Sequence, residues 1–162
     1  MLCIRGEVRP SSIAKAGQGL FTLDFLPKGK IVIIYNSNPG DLIIDEKSYL
    51  EKHPDPTSEE WDIFVKLIGS YYIGNYDHKN LEDYINHSDF PNLLYHCGIF
   101  IAVQDIEIGE ELTVDYRYFL KENAHEIFKI NGKPIIGLSN KESLLRSSQK
   151  LIEILESVDD LS

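Results

Sequence analysis

The chain has 162 residues, 43% of them hydrophobic and 26% charged, with a net charge of −10 at neutral pH. That length and balance suit one globular domain and leave too little chain for two. No apolar run approaches the roughly 20 residues of a membrane helix, and so acidic a surface repels phosphate backbones, so neither membrane nor direct nucleic-acid binding is expected. A basic partner is easier to accommodate, while on charge alone the plainer reading is that the acids keep the protein soluble.

Residues 1–44 read as strands and turns. Val8-Arg9-Pro10 leads into the loop signal Ser11-Ser12, and Ala14–Phe21 carries two glycines, Gly17 and Gly19, on either side of Gln18. Glycine permits positive φ and lets a ligand approach the backbone, but tight turns use the same pattern. Leu26-Pro27-Lys28-Gly29 is a turn into Ile31–Tyr35, which is apolar on both faces and is expected to be a buried strand. Asn36–Asp41 is turn material.

Residues 45–80 change character. Asp45–His53 reads as a short helix stopped by Pro54 and Pro56. Thr57-Ser58-Glu59-Glu60 matches a capping box, and Trp61, Phe64, Val65 and Ile68 follow at helical spacing, which predicts a helix with one core-packing face. Residues 41–62 hold eight acids against two lysines. Tyr71, Tyr72, Tyr76 and Tyr84 then form an aromatic patch, which suits either core packing or a channel for a cationic side chain.

The stretch from Tyr84 to Tyr116 carries the densest set of polar groups among apolar neighbours. It opens with Asn86-His87-Ser88 and ends with the alternating Glu111–Tyr116, a predicted strand closing on a phenol. Two turns lie between, Asp89–Asn92 and Glu107–Glu110. A buried Asn-His pair needs hydrogen-bond partners, and a terminal tyrosine places a hydroxyl at the strand's end.

The tail from Arg117 holds seven acids and seven bases, neutral where the body is acidic. Gly132-Lys133-Pro134 marks a turn. Ser139-Asn140-Lys141-Glu142 is a second capping box, opening a helix with Leu144, Leu145, Leu151, Ile152, Leu155 and Val158 along it. That helix could dock on its own domain or on a second copy, so a homodimer through it stays open.

Cys3 and Cys97 are the two cysteines, which excludes a disulfide framework and a four-thiolate zinc site. His87, His96 and Cys97 lack a fourth ligand, and no metal is expected. The opening MLCIRGEVRP lacks the long apolar core of a signal peptide. An intracellular, cytoplasmic setting is the expectation, with nuclear or host-targeted destinations open.

The ordered run AGQGLF, LPKG, YINHSDFPN and DIEIGEELTVDY resembles the SET-domain family of protein lysine methyltransferases. The resemblance covers roughly residues 8–119. It implies a mostly β fold of small curved sheets with short helices, a knot-like core where the Asn86-His87-Ser88 segment threads near Tyr116, and a C-terminal helix. The domain is expected over 1–119, with a helical insert at about 45–80, and 120–162 as a C-terminal segment. The short, cysteine-poor form is similar to bacterial or viral members. The resemblance also implies S-adenosylmethionine as cofactor. By position Gly17, Gln18, Gly19, Asn86 and His87 would contact that methyl donor, and Tyr116 would both line its site and be the catalytic tyrosine.

The implied reaction is in-line displacement by a lysine amine on a sulfonium, and the amine attacks only when neutral. An apolar, aromatic channel beside a positive charge favours the neutral amine, so alignment outweighs base strength. The expected substrate is a basic protein or peptide, histone-like or otherwise, suited to the acidic 41–62 and 105–115 segments. The competing reading is a non-catalytic SET-like peptide-binding module. Several positions depart from the family pattern. Asp83 stands where arginine is common, and Val114 where an aromatic residue often is. The Cys-rich zinc segment has no counterpart, so part of 117–162, with Phe119 or Phe128 as candidates over the adenine, would have to close the channel.

Overall fold

A computed structural model describes residues 2–34, 42–45, 51, 64–67, 70–73, 80–120, 129–130 and 133–158. Strands dominate these residues. β1 (Gly6–Pro10) and β2 (Gln18–Thr22) pair antiparallel in a hairpin. β3 (Ile31–Ile34), β7 (Asn86–His87), β8 (Leu93–His96), β9 (Ile99–Ala102) and β10 (Thr113–Val114) form a five-stranded sheet in the order β3-β9-β8-β10-β7. Between them in sequence, β4 (Leu42–Asp45), β5 (Phe64–Leu67) and β6 (Ser70–Ile73) form a separate sheet in the order β4-β6-β5. β11 (Lys129–Ile130) and β12 (Lys133–Pro134) pair last, antiparallel.

Several expectations from the sequence are changed here. The helical spacing of Phe64 and Val65 belongs instead to strand β5, paired with β6 from Phe64↔Ile73 to Leu67↔Ser70. An aromatic and β-branched run next to Gly69 suits a hairpin as well as a helix, and pairing with β6 decides. Of the short helix expected over Asp45–His53, Asp45 instead ends β4, Glu51 is helical, and the remaining positions lie outside the described residues. The capping box at 57–60, the side chains of the 71–76 tyrosines, and Tyr35, Trp61, Ile68 and Phe128 lie outside the described residues. β3 is less buried than an apolar run implies, because it is the sheet's edge strand: Val32 and Ile33 are buried while Ile31 is exposed. The alternating strand expected over Glu111–Tyr116 is reduced to Thr113–Val114. Glu111 bridges Phe21, Leu112 donates its N–H to Leu20 O, and Tyr116 opens a 3-10 turn (Tyr116–Tyr118).

The core gathers Leu20, Leu26, Val32, Ile33, Leu93, Ala102, Ile106, Leu112 and Val114 under the five-stranded sheet. Two short bridges, Leu26↔Ile106 and Phe21↔Glu111, tie the β1–β2 hairpin region to the 105–111 segment. Arg9 clasps the same junction, donating to Gly109 O at 2.7 Å with its guanidinium 3.9 Å over the Phe21 ring. The helix α1 (Asn140–Glu156) starts as the capping box implies, Ser139 Oγ accepting from Glu142 N–H at 3.1 Å. Its inner face lies on its own domain. Ile154 is buried against Leu94 and Ile101, Ser143 Oγ donates to Tyr118 O at 2.6 Å, and Ser147 Oγ meets His96 Nδ1 at 2.9 Å. Leu145, Ile152 and Leu155 face outward.

Candidate active site

The segments that carry Asn86, His87 and Tyr116 run side by side. β10 pairs in parallel with β7, Thr113 opposite Asn86 and Val114 opposite His87, and with β8 on its other side. Val114, buried, fixes this register, and Ser88 N–H donates to Val114 O. The chain then turns, and Tyr116 is held at two points by the 85–87 segment. Its hydroxyl donates to Ile85 O at 2.7 Å, and its backbone N–H donates to His87 Nδ1 at 3.0 Å. The second bond fixes the histidine tautomer: Nδ1 is an acceptor, so the neutral ring carries its proton on Nε2. Burial lowers the His87 pKa against the pull of Asp115 and Asp89, and keeps that acceptor available. Burial also pushes the Tyr116 phenol up to about 12, so it stays protonated at neutral pH.

The charged groups around this pair form a connected rim. Arg117 Nε donates to Asp115 at 2.8 and 3.0 Å and its Nη2 lies 3.3 Å from Asp89. Arg117 thereby ties the turn after Ser88 to the start of the 3-10 turn, with both carboxylates 3.8 Å from the His87 ring nitrogens.

Gly17, Gln18 and Gly19 open β2 on the Asn86 side. Gly17 has φ +78°, and nothing lies within 4 Å of where a Cβ would point. Gly19 differs: a Cβ there would overlap Glu111 Oε1 and stand 2.8 Å from Glu111 Cδ and 3.2 Å from Asn86 Nδ2. Asn86 Nδ2 donates to Gln18 O at 2.9 Å, to Glu111 Oε1 at 2.9 Å and to Ser11 Oγ at 3.2 Å. Two of these oxygens can only accept, so they fix which way the amide faces. Asn86 Oδ1 then has no hydrogen-bond donor among the described residues. An amide oxygen with no donor among the described residues can accept from an ammonium, such as that of the amino-acid moiety S-adenosylmethionine would bring.

Five of the six residues singled out in the sequence thus converge through two clusters. Tyr116 and His87 form one, Gln18, Gly19 and Asn86 the other, and the adjacent Asn86-His87 pair joins them. Gly17 stands at the open end. Aromatic rings continue from the site into the core. Tyr116 lies 5.3 Å from the His87 ring and 5.1 Å from Phe119, and Phe119 is 5.4 Å from Tyr95. Asp83, where the family pattern has arginine, turns to its own segment and accepts from Asn80 N–H at 2.7 Å.

Sequence reasoning missed Glu111, Ser11 and Ser12. The Glu111 carboxylate is buried and accepts from Ser11 Oγ (2.6 Å), Ser12 N–H (2.8 Å), Ser12 Oγ (2.6 Å) and Asn86 Nδ2. Burial pushes its pKa up, and the hydrogen bonds from Ser11, Ser12 and Asn86 outweigh it, so the carboxyl titrates below its usual value. No local signal separates Glu111 from Glu107 or Glu110, because its partners lie 25 to 100 residues away in sequence.

Comparison with known proteins gives the family and the fold. The chain is 30% identical over 121 residues to the histone-lysine N-methyltransferase SETMAR of Rattus norvegicus, covering 63% of this chain and 36% of that protein. It is 29% identical over 141 residues to the SETMAR of Mus musculus, covering 74% of this chain and 44% of the relative. It therefore spans less than half the length of these curated relatives. Among solved structures it superposes on a chain of ctPRC2 in an autoinhibited conformation bound to S-adenosylmethionine. There the TM-score is 0.52 at 19% identity, over 98% of this chain and 23% of that one. The family model for the SET domain matches residues 17–117, more than half of the chain and the span that holds all six residues, and the chain belongs to the SET-domain family.

Proposed function

We propose that this chain is a protein-lysine N-methyltransferase that uses S-adenosylmethionine to methylate a lysine in a basic protein segment. The observation that carries the reading is the double tether of Tyr116, hydroxyl to Ile85 O and N–H to His87 Nδ1, beside the Asn86 and Gly17–Gly19 cluster. Family membership and the histone-lysine methyltransferases among its relatives support it.

The donor, when bound, supplies a methyl group on a positively charged sulfur. The chain's residues supply placement. Asn86 Oδ1 would accept from the donor's ammonium, and Gly17, with open space where a Cβ would stand, would leave room for the donor's amino-acid end. Tyr116 is not a base: its proton is committed to Ile85 O, and its raised pKa keeps it neutral. Its role is to hold the reacting atoms in line, which is worth several orders of magnitude in rate when the geometry is right. Aromatic faces on the Phe119 side disfavour an ammonium losing its water shell, and so favour the neutral amine that attacks. Exposed acids at Asp105, Glu107 and Glu110 suit a Lys/Arg-rich substrate.

The test is transfer of label from S-adenosylmethionine to histone or other basic protein by the wild type and by Tyr116→Phe. The variant is expected to fold and to lose at least about 100-fold of the rate, on the scale of misaligned reacting groups. Full activity in Tyr116→Phe refutes the role given to the hydroxyl. A wild type that binds basic peptide and never transfers label would identify the chain as a binding module instead.

A further inference from the structure

The carboxylate of Glu111 joins three segments that the donor site needs in register. Oε1 accepts from Ser11 Oγ and Asn86 Nδ2, and Oε2 accepts from Ser12 N–H and Ser12 Oγ. Asn86 Nδ2 in turn donates to Gln18 O, at the first residue of β2. Glu111 is itself anchored, its backbone bridging Phe21 and its backbone carbonyl accepting from Asn92 Nδ2 at 2.8 Å. Gly19 leaves the space that the carboxylate occupies.

We propose that Glu111 is a positioning residue of the methyl-donor site, fixing the direction of the Asn86 amide and the place of the Ser11–Ser12 loop beside Gly17–Gly19. The proposal rests on the methyltransferase reading above. Its physical basis is donor and acceptor counting. Asn86 can present Oδ1 to a ligand only while its Nδ2 faces the oxygens of Glu111 and Gln18. A glutamine at 111 has the same shape but one oxygen and one NH2. Whichever way it turns, the NH2 meets an N–H donor, Asn86 Nδ2 on one side or the Ser12 backbone on the other. If Asn86 flips to accept from it, Oδ1 is set against Gln18 O and the ligand is offered an NH2 instead. Buried mismatches of this kind cost more than the bond they replace.

The experiment is calorimetric titration of the full chain with S-adenosylmethionine, together with steady-state methylation of a histone substrate. It compares wild type, Glu111→Gln and the double variant Ser11→Ala/Ser12→Ala. Glu111→Gln is expected to raise the donor Kd and donor KM about tenfold, and the double variant about threefold. KM for the protein substrate should stay within about twofold in both. A residue that merely supports the fold would lower Tm and kcat without that split between the two KM values. If Glu111→Gln fails to unfold cooperatively, the double variant, which keeps the charge and removes two hydroxyl donors, carries the test. Unchanged donor affinity in folded variants, or both KM values rising together, overturns the role of Glu111 alone. A wild type without donor binding overturns the methyltransferase reading, and this role with it.

Discussion

Gly17 and Gly19 stand two residues apart in one motif, yet the structure constrains them for opposite reasons, and alanine separates them. Gly17 has φ +78° and open space around a would-be Cβ, so Gly17→Ala meets only backbone strain, about 1–2 kcal/mol. Gly19 shows no positive φ, but its Cβ would displace the Glu111 carboxylate, 2.8 Å away at Cδ. That carboxylate cannot swing aside freely, since four hydrogen bonds hold it. Overpacking costs about 1–3 kcal/mol and loss of one bond to a charged group about 1.5–3 kcal/mol, offset by about 0.4–1 kcal/mol from stiffening the unfolded chain. The net is about 2–5 kcal/mol. For a chain of this size that lowers Tm by about 4–20 °C, against about 2–8 °C for Gly17→Ala. Thermal melts by circular dichroism measure both. A double-mutant cycle sharpens the result: with Glu111→Ala already in place, Gly19→Ala should cost much less, because the main obstructing group is gone and only Asn86 Nδ2, 3.2 Å away, remains close. If Gly19→Ala is no worse than Gly17→Ala, or is unaffected by Glu111→Ala, the close packing argued for this corner is wrong.

Two further outcomes are expected. The native chain holds His87 below its ordinary value of 6.5, chiefly by burial, while the unfolded chain binds the proton at that ordinary value. The unfolded state therefore binds more protons below about pH 6.5, so the contribution is whole above that pH and is lost as pH falls through the native value. His96, lowered by burial, acts in the same direction. Tm should be lower at pH 5.5 than at pH 7.5, and equal values would refute the assignment. Ile154 is 1% exposed and packs on Leu94 and Ile101. Ile154→Ala should cost about 2–4 kcal/mol, or about 4–16 °C in Tm, and no change would mean the helix is not seated on β8 and β9.

Much of this site was legible in the sequence because its markers are local. Asn86-His87 and Tyr116 stand out as polar groups in apolar strands, and the ordered motifs place them together. The second capping box and the helix it opens were equally plain, since Ser139 and Glu142 act within one turn. What escaped reading depends on partners far along the chain. Ser11-Ser12 looks like any loop, and Glu111 like one acid of five in 105–115, until the fold brings them together. The Phe64–Leu67 segment was misread for a related reason. Its helical spacing is genuine in the sequence, but the edge of β6 gives its backbone a better partner than its own carbonyls.

The hydrogen bonds that shape the site span long loops: 29 residues between His87 and Tyr116, 75 between Ser11 and Asn86, and 100 between Ser11 and Glu111. Closing such loops costs chain entropy, and a fold that relies on contacts of this range folds more slowly than one built from local contacts. A chain growing from its N-terminus acquires Gly17–Gly19 early, yet it cannot orient Asn86 until Glu111 arrives, nor tether Tyr116 until the parallel β7–β10 pair closes. Competence to bind a ligand here therefore requires segments from both ends of the domain to be in place together, so such a ligand would report on the folded domain and not on a fragment of it.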